Sequence, residues 1–178
     1  EDDGFVTNLI DESDYLNYVD YIDEYNTTFN STQKVITLED YLERKFYKEI
    51  GDKDSDELYQ LGLKYYNGDQ IPIDKKKAFQ CFKVSSDKGD IKSTIHCATM
   101  LLTGDGIEKN LSESVKFWRI GAEKDEVLSI YTIGMMYLRG EGIPKDECKA
   151  VNYIRKAADK GFVLAMHQYG LLLLRGNL

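Results

Sequence analysis

Residues that could perform chemistry are few in this 178-residue chain, and their spacing favours no catalytic or metal site. His96 and His167 are far apart, with no cysteine or carboxylate beside them at the spacing of metal ligands. The Gly-x-Gly sequences at 104–106 and 140–142 are typical of phosphate-binding turns when taken alone. They recur at one fixed spacing, however, and the sequence contains no P-loop or dinucleotide fingerprint, so we interpret them as helix-exit turns. The sequence therefore predicts neither an enzyme nor a cofactor site.

The cysteines do not form a disulfide framework, because their number is odd. They are Cys81, Cys97 and Cys148. Cys97 falls in an apolar column of the repeat described below and is predicted to be a small buried hydrophobe. Unpaired cysteines favour a reducing compartment, so we expect a cytoplasmic location. The alternative is the ER lumen or secretion, where three Asn-x-Ser/Thr sequons could carry glycans. The sequons lie at Asn26, Asn30 and Asn110.

The elements that would position these residues repeat along the chain. Sliding the sequence against itself by about 36 residues, a period typical of helical arrays, aligns similar residues in columns. The clearest columns are Gly68, Gly104, Gly140 and Gly176; Ile71, Ile107 and Ile143; Gly62, Ala98, Gly134 and Gly170; and Phe82, Trp118 and Ile154. One unit has therefore been copied along the chain.

Each unit is predicted to be a helical hairpin. In the first copy, Leu58 and Tyr65 belong to a one-sided apolar stripe that indicates a helix over residues 56–67. Gly68 lies where that helix would end in a left-handed turn, and a second helix is predicted over about 75–88. A single hairpin cannot bury its stripe, so neighbouring hairpins must stack and share a core.

These residues resemble the Sel-1-like repeat, a relative of the tetratricopeptide repeat. The segments that carry the resemblance are LGLKYYNGDQI, IGMMYLRGEGI, YGLLLLRGNL and KAVNYIRKAADKG. The resemblance implies an all-α fold, a right-handed α-solenoid of stacked helix-turn-helix repeats that binds other molecules rather than reacting with them. The second copy departs from the pattern at Ala98, Leu101 and Asp125, so we expect slightly altered helix packing there. The cysteine-rich branch of this family is not matched.

The predicted organisation has three parts. Residues 1–34 form an acidic, tyrosine-rich N-terminal segment, residues 35–53 a degenerate capping helix, and residues 54–178 three and a half repeats. The copies span 54–89, 90–125, 126–161 and, in part, 162–178. The chain begins at Glu1 rather than at methionine, so we expect a fragment or a processed chain.

The N-terminal segment carries the excess negative charge of the chain, whose net charge is −8. Residues 1–24 hold nine acids and no base, which excludes nucleic acid and anionic membranes as partners of this segment. Three interpretations stay open. The segment could be a degenerate leading repeat, with a capping box over 37–40 that opens a helix ending near Gly51. It could instead be a ligand-like arm over 14–25 that docks on a repeat surface, or a flexible tail with modifiable tyrosines. The candidate docking tyrosines are Tyr15, Tyr18, Tyr21 and Tyr25.

Partner recognition is expected on the first helix of each hairpin, which lines the concave side in related tetratricopeptide arrays. The positions are Tyr59, Leu63, Asn67, Ile95, Thr99, Thr103, Tyr131, Met135, Arg139, His167, Leu171 and Arg175. Two arginines at one edge predict a groove for a segment with apolar anchors and a carboxylate, which an arginine can bind with two hydrogen bonds. The alternative is that the aromatic and aliphatic members complete the packing between repeats.

Basic residues recur near the ends of the second helices. One column holds Lys83, Arg119 and Arg155, and another holds Lys88, Lys124 and Lys160. The simple interpretation is that these cations stabilise the helix dipole. The alternative is an outer basic ridge that meets an acidic partner, such as the chain's own residues 14–24.

The last helix carries Leu171–Leu174 and has no second helix after it in the sequence. An exposed apolar patch usually marks a contact. Either further repeats were cut off, which we favour, or self-association through this helix or the N-terminal arm covers the patch.

The leading hypothesis is a non-enzymatic scaffold or adaptor that binds a peptide or protein segment, without cofactor, metal, nucleic acid or membrane insertion. One alternative is a regulatory or targeting module of a larger enzyme or signalling protein. Another is a secreted or ER-lumenal effector.

Overall fold

The computed structural model of the chain describes residues 12–28 and 37–174, and all regular structure within them is helical. This confirms the predicted all-α class. The helices are α1 (Glu12–Thr28), α2 (Leu38–Gly51), α3 (Ser55–Asn67), α4 (Lys75–Asp87), α5 (Ile91–Thr103), α6 (Leu111–Glu123), α7 (Val127–Arg139), α8 (Glu147–Asp159) and α9 (Val163–Leu174). None of the helices in these ranges is both long enough and apolar enough to cross a bilayer.

The chain divides into two compact units, Glu1–Asp52 and Lys53–Leu178. In the first unit α1 packs against α2. The rings of Tyr18 and Tyr21 on α1 lie 5.7 Å and 5.3 Å from the ring of Tyr41 on α2. The predicted capping box is present at the start of α2. The Asp40 N–H donates to Thr37 Oγ1 at 3.1 Å, and the Thr37 N–H donates to the Asp40 carboxylate at 3.1 Å. These bonds satisfy two backbone donors that the first turn would otherwise leave unpaired.

The second unit consists of α3 to α9, and each helix packs against the next along the chain. Three hairpins, α3–α4, α5–α6 and α7–α8, precede α9, which corresponds to the first helix of a fourth copy. An acidic or amide side chain accepts a hydrogen bond from the backbone at the start of α3 to α8, which is why each helix begins where it does. These N-caps are Asp54, Asp74, Asp90, Asn110, Glu126 and Asp146.

The first helix of each hairpin ends at a glycine in the left-handed conformation. The φ angles are 80° at Gly68, 79° at Gly104 and 73° at Gly140. A side chain with a Cβ rarely adopts this conformation, so glycine in this column ends the helix and turns the chain. The Gly-x-Gly sequences are therefore helix-exit turns, as predicted.

Small residues in the first helices let large residues of the second helices approach closely. A Cβ on Gly62 would lie 2.6 Å from the Phe82 ring, and a Cβ on Gly134 would lie 2.8 Å from Ile154 Cγ1.

Cys97 on α5 is fully buried in the core, and burial raises the pKa of its thiol. This confirms the prediction of a small buried hydrophobe at that position.

The lysine that follows each second helix reaches back to the residue just before the N-cap of the first helix of its hairpin. Lys88 donates to the carbonyl of Lys53, Lys124 donates to the carbonyl of Gly89, and Lys160 pairs with the Asp125 carboxylate. Each partner lies 35 residues earlier in the chain. Lys124 and Lys160 therefore bind the last residue of the preceding copy, while the acceptor of Lys88 lies just before the first copy.

The junctions between repeats become less polar along the chain. Between the first and second copies, Ser93 Oγ donates to Ser85 Oγ at 2.8 Å, inside the core. At the next junction Gly121 occupies the column of Ser85, and the buried hydroxyl of Ser129 has no hydrogen-bond partner among the described residues. Because Gly121 has no hydroxyl, the Ser129 hydroxyl lacks the partner that Ser93 has in Ser85.

Asp125 marks where the second copy departs from the repeat pattern. It occupies the column of Gly89 and Gly161 and keeps their positive φ, at 63°. Its carboxylate pairs with Lys160 and lies 3.1 Å from Lys156 Nζ, and these contacts lower its pKa. The side chain replaces the main-chain carbonyl as the acceptor for the junction lysine.

Candidate protein-interaction surface

The predicted concave residues all fall on α3, α5, α7 and α9 except Arg175, which lies outside the described residues. They separate into two groups by exposure. Tyr59, Leu63, Ile95, Tyr131, Met135 and Leu171 are half-buried. Asn67, Thr99, Thr103, Arg139 and His167 are exposed. The predicted positions thus divide into partly covered apolar side chains and exposed polar ones.

The half-buried group also takes part in the core. Tyr59, Leu63 and Ile95 pack against the buried residues shared by the first three hairpins, whereas Tyr131 and Met135 pack against a second core cluster. The Tyr131 ring stands edge-on to Phe162, with 5.2 Å between centroids. These side chains therefore complete packing between repeats and still expose part of their apolar surface.

The exposed group contains one cation that is weakly held. Arg139 Nη1 lies 3.8 Å from Glu141 Oε1, and both side chains are exposed. Ion pairs of this length on the surface contribute little free energy, so the guanidinium can exchange Glu141 for another carboxylate. The hydroxyl of Thr103, in contrast, already donates to the Thr99 carbonyl of its own helix at 2.9 Å.

His96 and Lys92 also lie at this surface, although the sequence did not indicate them. The His96 ring stacks on Phe82 with 4.6 Å between centroids and lies 5.8 Å from the Tyr59 ring. Burial against these rings lowers the pKa of His96, so the imidazole is neutral at physiological pH. Lys92 Nζ lies 5.6 Å above the Tyr59 ring, within the range of a cation–π contact. Both residues contact the ring of Tyr59, and of these three residues only Tyr59 was predicted to lie at this surface.

A charged cluster lies between the first and second copies. The Tyr66 hydroxyl donates to Asp105 Oδ2 at 2.5 Å, Lys75 forms an ion pair with the same carboxylate, and Lys75 Nζ lies 5.1 Å above the Tyr66 ring. The bonds from Lys75 and Tyr66 hold the pKa of Asp105 below its ordinary value. The polar groups of these three side chains are paired with one another, so the cluster joins two repeats.

The candidate docking tyrosines of the first unit are used differently from one another. Tyr18 and Tyr21 are half-buried and contact Tyr41 of α2, and Arg44 donates to the Tyr21 hydroxyl at 3.1 Å. Tyr15 is exposed, and the Tyr25 side chain lies outside the described residues. The function of the unit as a cap or as a docking arm stays a prediction.

Metal ligands do not converge in the part of the chain that the structure describes. Within residues 12–28 and 37–174, no group of three or more histidines, cysteines and carboxylates could hold a metal ion. Cys81, like Cys97, is buried, and burial raises the pKa of its thiol to about 12. A thiol of that pKa is protonated at neutral pH and is a poor nucleophile.

The sequence comparison points to one family. The family model described as Sel1 repeat matches residues 58–90, 94–126 and 127–162, which together make up more than half of the chain. No curated protein shows significant sequence similarity to the chain.

Solved structures with the same fold include three repeat proteins. The Sel1 repeat protein from Oxalobacter formigenes is 26% identical, with a TM-score of 0.65 over 69% of this chain and 51% of that chain. The protective antigen c5321 of uropathogenic Escherichia coli, described as displaying an SLR fold, is 24% identical, with a TM-score of 0.67 over 94% of this chain and 37% of that one. Helicobacter pylori cysteine rich protein B is 17% identical, with a TM-score of 0.51 over 66% of this chain and 98% of that one.

These likenesses confirm the predicted solenoid of stacked hairpins. At 24% and 17% identity, the second and third structures show the fold alone. The chain spans about half the length of the first structure and 37% of the second.

Proposed function

The chain belongs to the Sel1 repeat family, and from this premise we propose that it is a non-enzymatic module that binds a protein or peptide segment along its first helices. Sel1 repeat proteins are commonly protein-interaction scaffolds. The observation that carries the proposal is the row of half-buried apolar side chains on α3, α5 and α7, bordered by exposed polar ones. Aromatic residues that are already ordered by packing bind a partner at a low cost in conformational entropy.

The partner segment carries apolar anchors and at least one carboxylate. Tyr59, Ile95, Tyr131 and Met135 offer apolar surface in consecutive repeats. Lys92 supplies positive charge beside Tyr59, and Arg139 supplies it on the helix that carries Tyr131 and Met135. Among the described residues, the ion-pair partner of Arg139 is Glu141, at the long distance of 3.8 Å. A carboxylate that replaced Glu141 would gain a charge-assisted hydrogen bond with the guanidinium.

The test uses peptides selected from a displayed random library against the immobilised full chain. Selected peptides should combine hydrophobic residues with aspartate or glutamate. Their affinity, measured by fluorescence anisotropy, should fall about tenfold or more in Arg139→Glu and in Lys92→Glu, because each change replaces attraction by repulsion.

The matched control is Lys116→Glu, which reverses the charge of an exposed lysine on α6, a second helix. It should leave the affinity of the selected peptides unchanged. Peptides that bind Arg139→Glu and Lys92→Glu as tightly as the original chain would refute the groove. Peptides without acidic residues would refute the charge preference.

We also propose that the chain resides in a reducing compartment such as the cytoplasm. In support, all three cysteines are free, and Cys81 and Cys97 are buried too deeply for disulfide exchange. Asn110 is exposed at the N-cap of α6, where a glycan would have room. A glycan found on Asn110 by mass spectrometry of the chain from its native source would overturn this proposal.

A further inference from the structure

Lys92 and His96 place two hydrogen-bonding groups on one side of α5, beside the same aromatic ring. The residues are four positions apart, so their side chains are neighbours on the helix surface. Lys92 Nζ lies 5.6 Å, and the centroid of the His96 ring 5.8 Å, from the centroid of the Tyr59 ring on α3. An ammonium group and an imidazole therefore border one half-buried tyrosine of the predicted concave surface.

The His96 ring is held in place by other rings rather than by hydrogen bonds. It stacks on Phe82 with 12° between the ring planes, and its centroid lies 6.2 Å from that of Tyr66. Neither ring nitrogen has a hydrogen-bond partner among the described residues, and neither is buried without one. Both nitrogens are therefore able to bond to water or to a ligand.

The ammonium group of Lys92 is also available. It is exposed, and no carboxylate that the structure describes forms an ion pair with it. The equivalent pairs in the other copies are Asp56 and Gln60, Leu128 and Thr132, and Leu164 and Gln168. None of these pairs combines a cation with an imidazole, so stacking of the repeats does not require the pair on α5.

The protonation of His96 depends on the groups around it. The titratable and charged groups that face it or its neighbouring rings are Tyr59 and Tyr66 from α3, Lys75 and Asp105 through their contacts with Tyr66, and Asp90 and Lys92 at the start of α5. Burial lowers the pKa of His96, and the charge of Asp90 acts in the opposite direction. The imidazole is therefore neutral at pH 7 and can gain a proton when a further negative charge comes close.

We propose that Lys92, His96 and the Tyr59 ring form a subsite for one carboxylate side chain of the partner segment, which Lys92 attracts and which His96 binds by taking up a proton from solvent. This inference rests on the proposed function and deepens it, because it names the groups that recognise the acid. A carboxylate beside the imidazole stabilises the protonated form, so the complex holds more protons than the free chain. The affinity for an acidic segment therefore rises as the pH falls through the pKa of His96 in the complex.

The first experiment measures how the affinity of the selected acidic peptides for the full chain changes from about pH 8 to about pH 5.5, a range in which aspartate and glutamate stay ionised. The affinity should rise about three- to tenfold, because an increase of one unit in a pKa on binding corresponds to about tenfold. His96→Gln should abolish this rise, and Gln60 and Gln168 show that the column accepts glutamine. Thr132→Gln, at the equivalent position of α7, is the control and should keep the rise.

The second experiment needs no peptide. It follows the imidazole resonances of the full chain in a pH titration by NMR, with and without millimolar 3-phenylpropanoate, a probe that has one carboxylate and one apolar ring. The His96 signal, identified by its loss in His96→Gln, should titrate about half a pH unit or more higher with the probe present. The neutral amide of the probe should not produce this change, and Lys92→Met should reduce it.

Three results would overturn the proposal. They are an affinity that stays constant or falls as the pH is lowered, a pH response that persists in His96→Gln, and a His96 signal that the probe moves no more than its amide does. The groove and the subsite can fail separately. A library that yields no binding peptides refutes the groove while the probe still tests the subsite, whereas peptides whose affinity is independent of pH refute the subsite alone.

Discussion

The ammonium group of Lys124 donates a hydrogen bond to the carbonyl oxygen of Gly89, 2.8 Å away, across the boundary between two repeats. The same lysine column makes the same reach at Lys88 and Lys160. Consecutive segments of this unit are therefore joined by polar contacts at the ends of the second helices as well as by the apolar core.

Replacing Lys124 by methionine should lower the free energy of unfolding by about 0.5–1.5 kcal/mol, because it removes one hydrogen bond and keeps the length of the side chain. Urea denaturation followed by circular dichroism measures the change. Lys116→Met, on the exposed side of α6, is the control and should have no measurable effect. Equal effects of the two substitutions would show that the bond to Gly89 does not contribute.

Two serines in the same column should respond oppositely to alanine. Ser129→Ala should raise the free energy of unfolding by about 1 kcal/mol, because a buried hydroxyl without a partner is removed. Ser93→Ala should lower it by about 1 kcal/mol, because the bond to Ser85 is lost. Chemical denaturation of the two variants in parallel tests this. If Ser129→Ala destabilises the chain as much as Ser93→Ala does, then the Ser129 hydroxyl has a partner in solution.

Two glycines in another column should also differ. Gly134→Ala should cost about 1–3 kcal/mol, because its Cβ would overlap Ile154 and the helices would have to separate. Gly170→Ala should instead stabilise α9 by up to about 1 kcal/mol, because alanine has the higher helix propensity and nothing opposes its Cβ. Thermal unfolding compares the two variants. A loss of stability in Gly170→Ala would mean that a Cβ at this position does meet a neighbouring atom in solution.

The cluster around Asp105 predicts a pH dependence. The bonds from Lys75 and Tyr66 depress the pKa of Asp105 in the folded chain, so its contribution to stability is present above the unfolded pKa and is lost as pH falls through the folded one. Asp105→Asn should therefore be less stable than the original chain at pH 7, and the difference should shrink as the pH falls toward about 3.

Urea titrations across this pH range measure the effect. Asp69→Asn is the control, since Asp69 occupies the same column in the first copy and is exposed. It should show no comparable change with pH. A deficit in Asp105→Asn that is the same at pH 7 and at pH 3 would contradict the assignment.

The sequence predicted the features that depend on short-range rules. The capping box at Thr37, the glycine turns and the small residues of the helix contacts all follow from local conformational preference or from the repeat period. The burial of Cys97 followed because its column is apolar in other copies. Because the unit is repeated, each position could be compared with the equivalent positions of other copies. The single chain therefore carried some of the information that an alignment of related sequences would give.

The contacts that the sequence did not predict join residues that differ between copies. Tyr66 and Asp105 are 39 residues apart. The column of Asp105 also holds the acids Asp69 and Glu141, but the column of Tyr66 holds leucine in the other copies, so the period gives no sign of the bond. The stacking of His96 on Phe82 likewise depends on one histidine that no other copy has. The bonds of the junction lysines were missed for another reason. In two of three cases the acceptor is a main-chain carbonyl, which every residue has.

That use of main-chain acceptors has a consequence for how such proteins change length in evolution. A lysine that donates to a main-chain carbonyl requires no particular side chain on the unit before it. Each duplicated unit therefore carries the hydrogen-bond donor that it needs, whatever residue precedes it. Whole units can then be gained or lost in one genetic step while the joint between the new neighbours stays intact. Among the described junctions, the one at Asp125 differs, because there the acceptor is a side chain and the contact with Lys160 requires a particular residue.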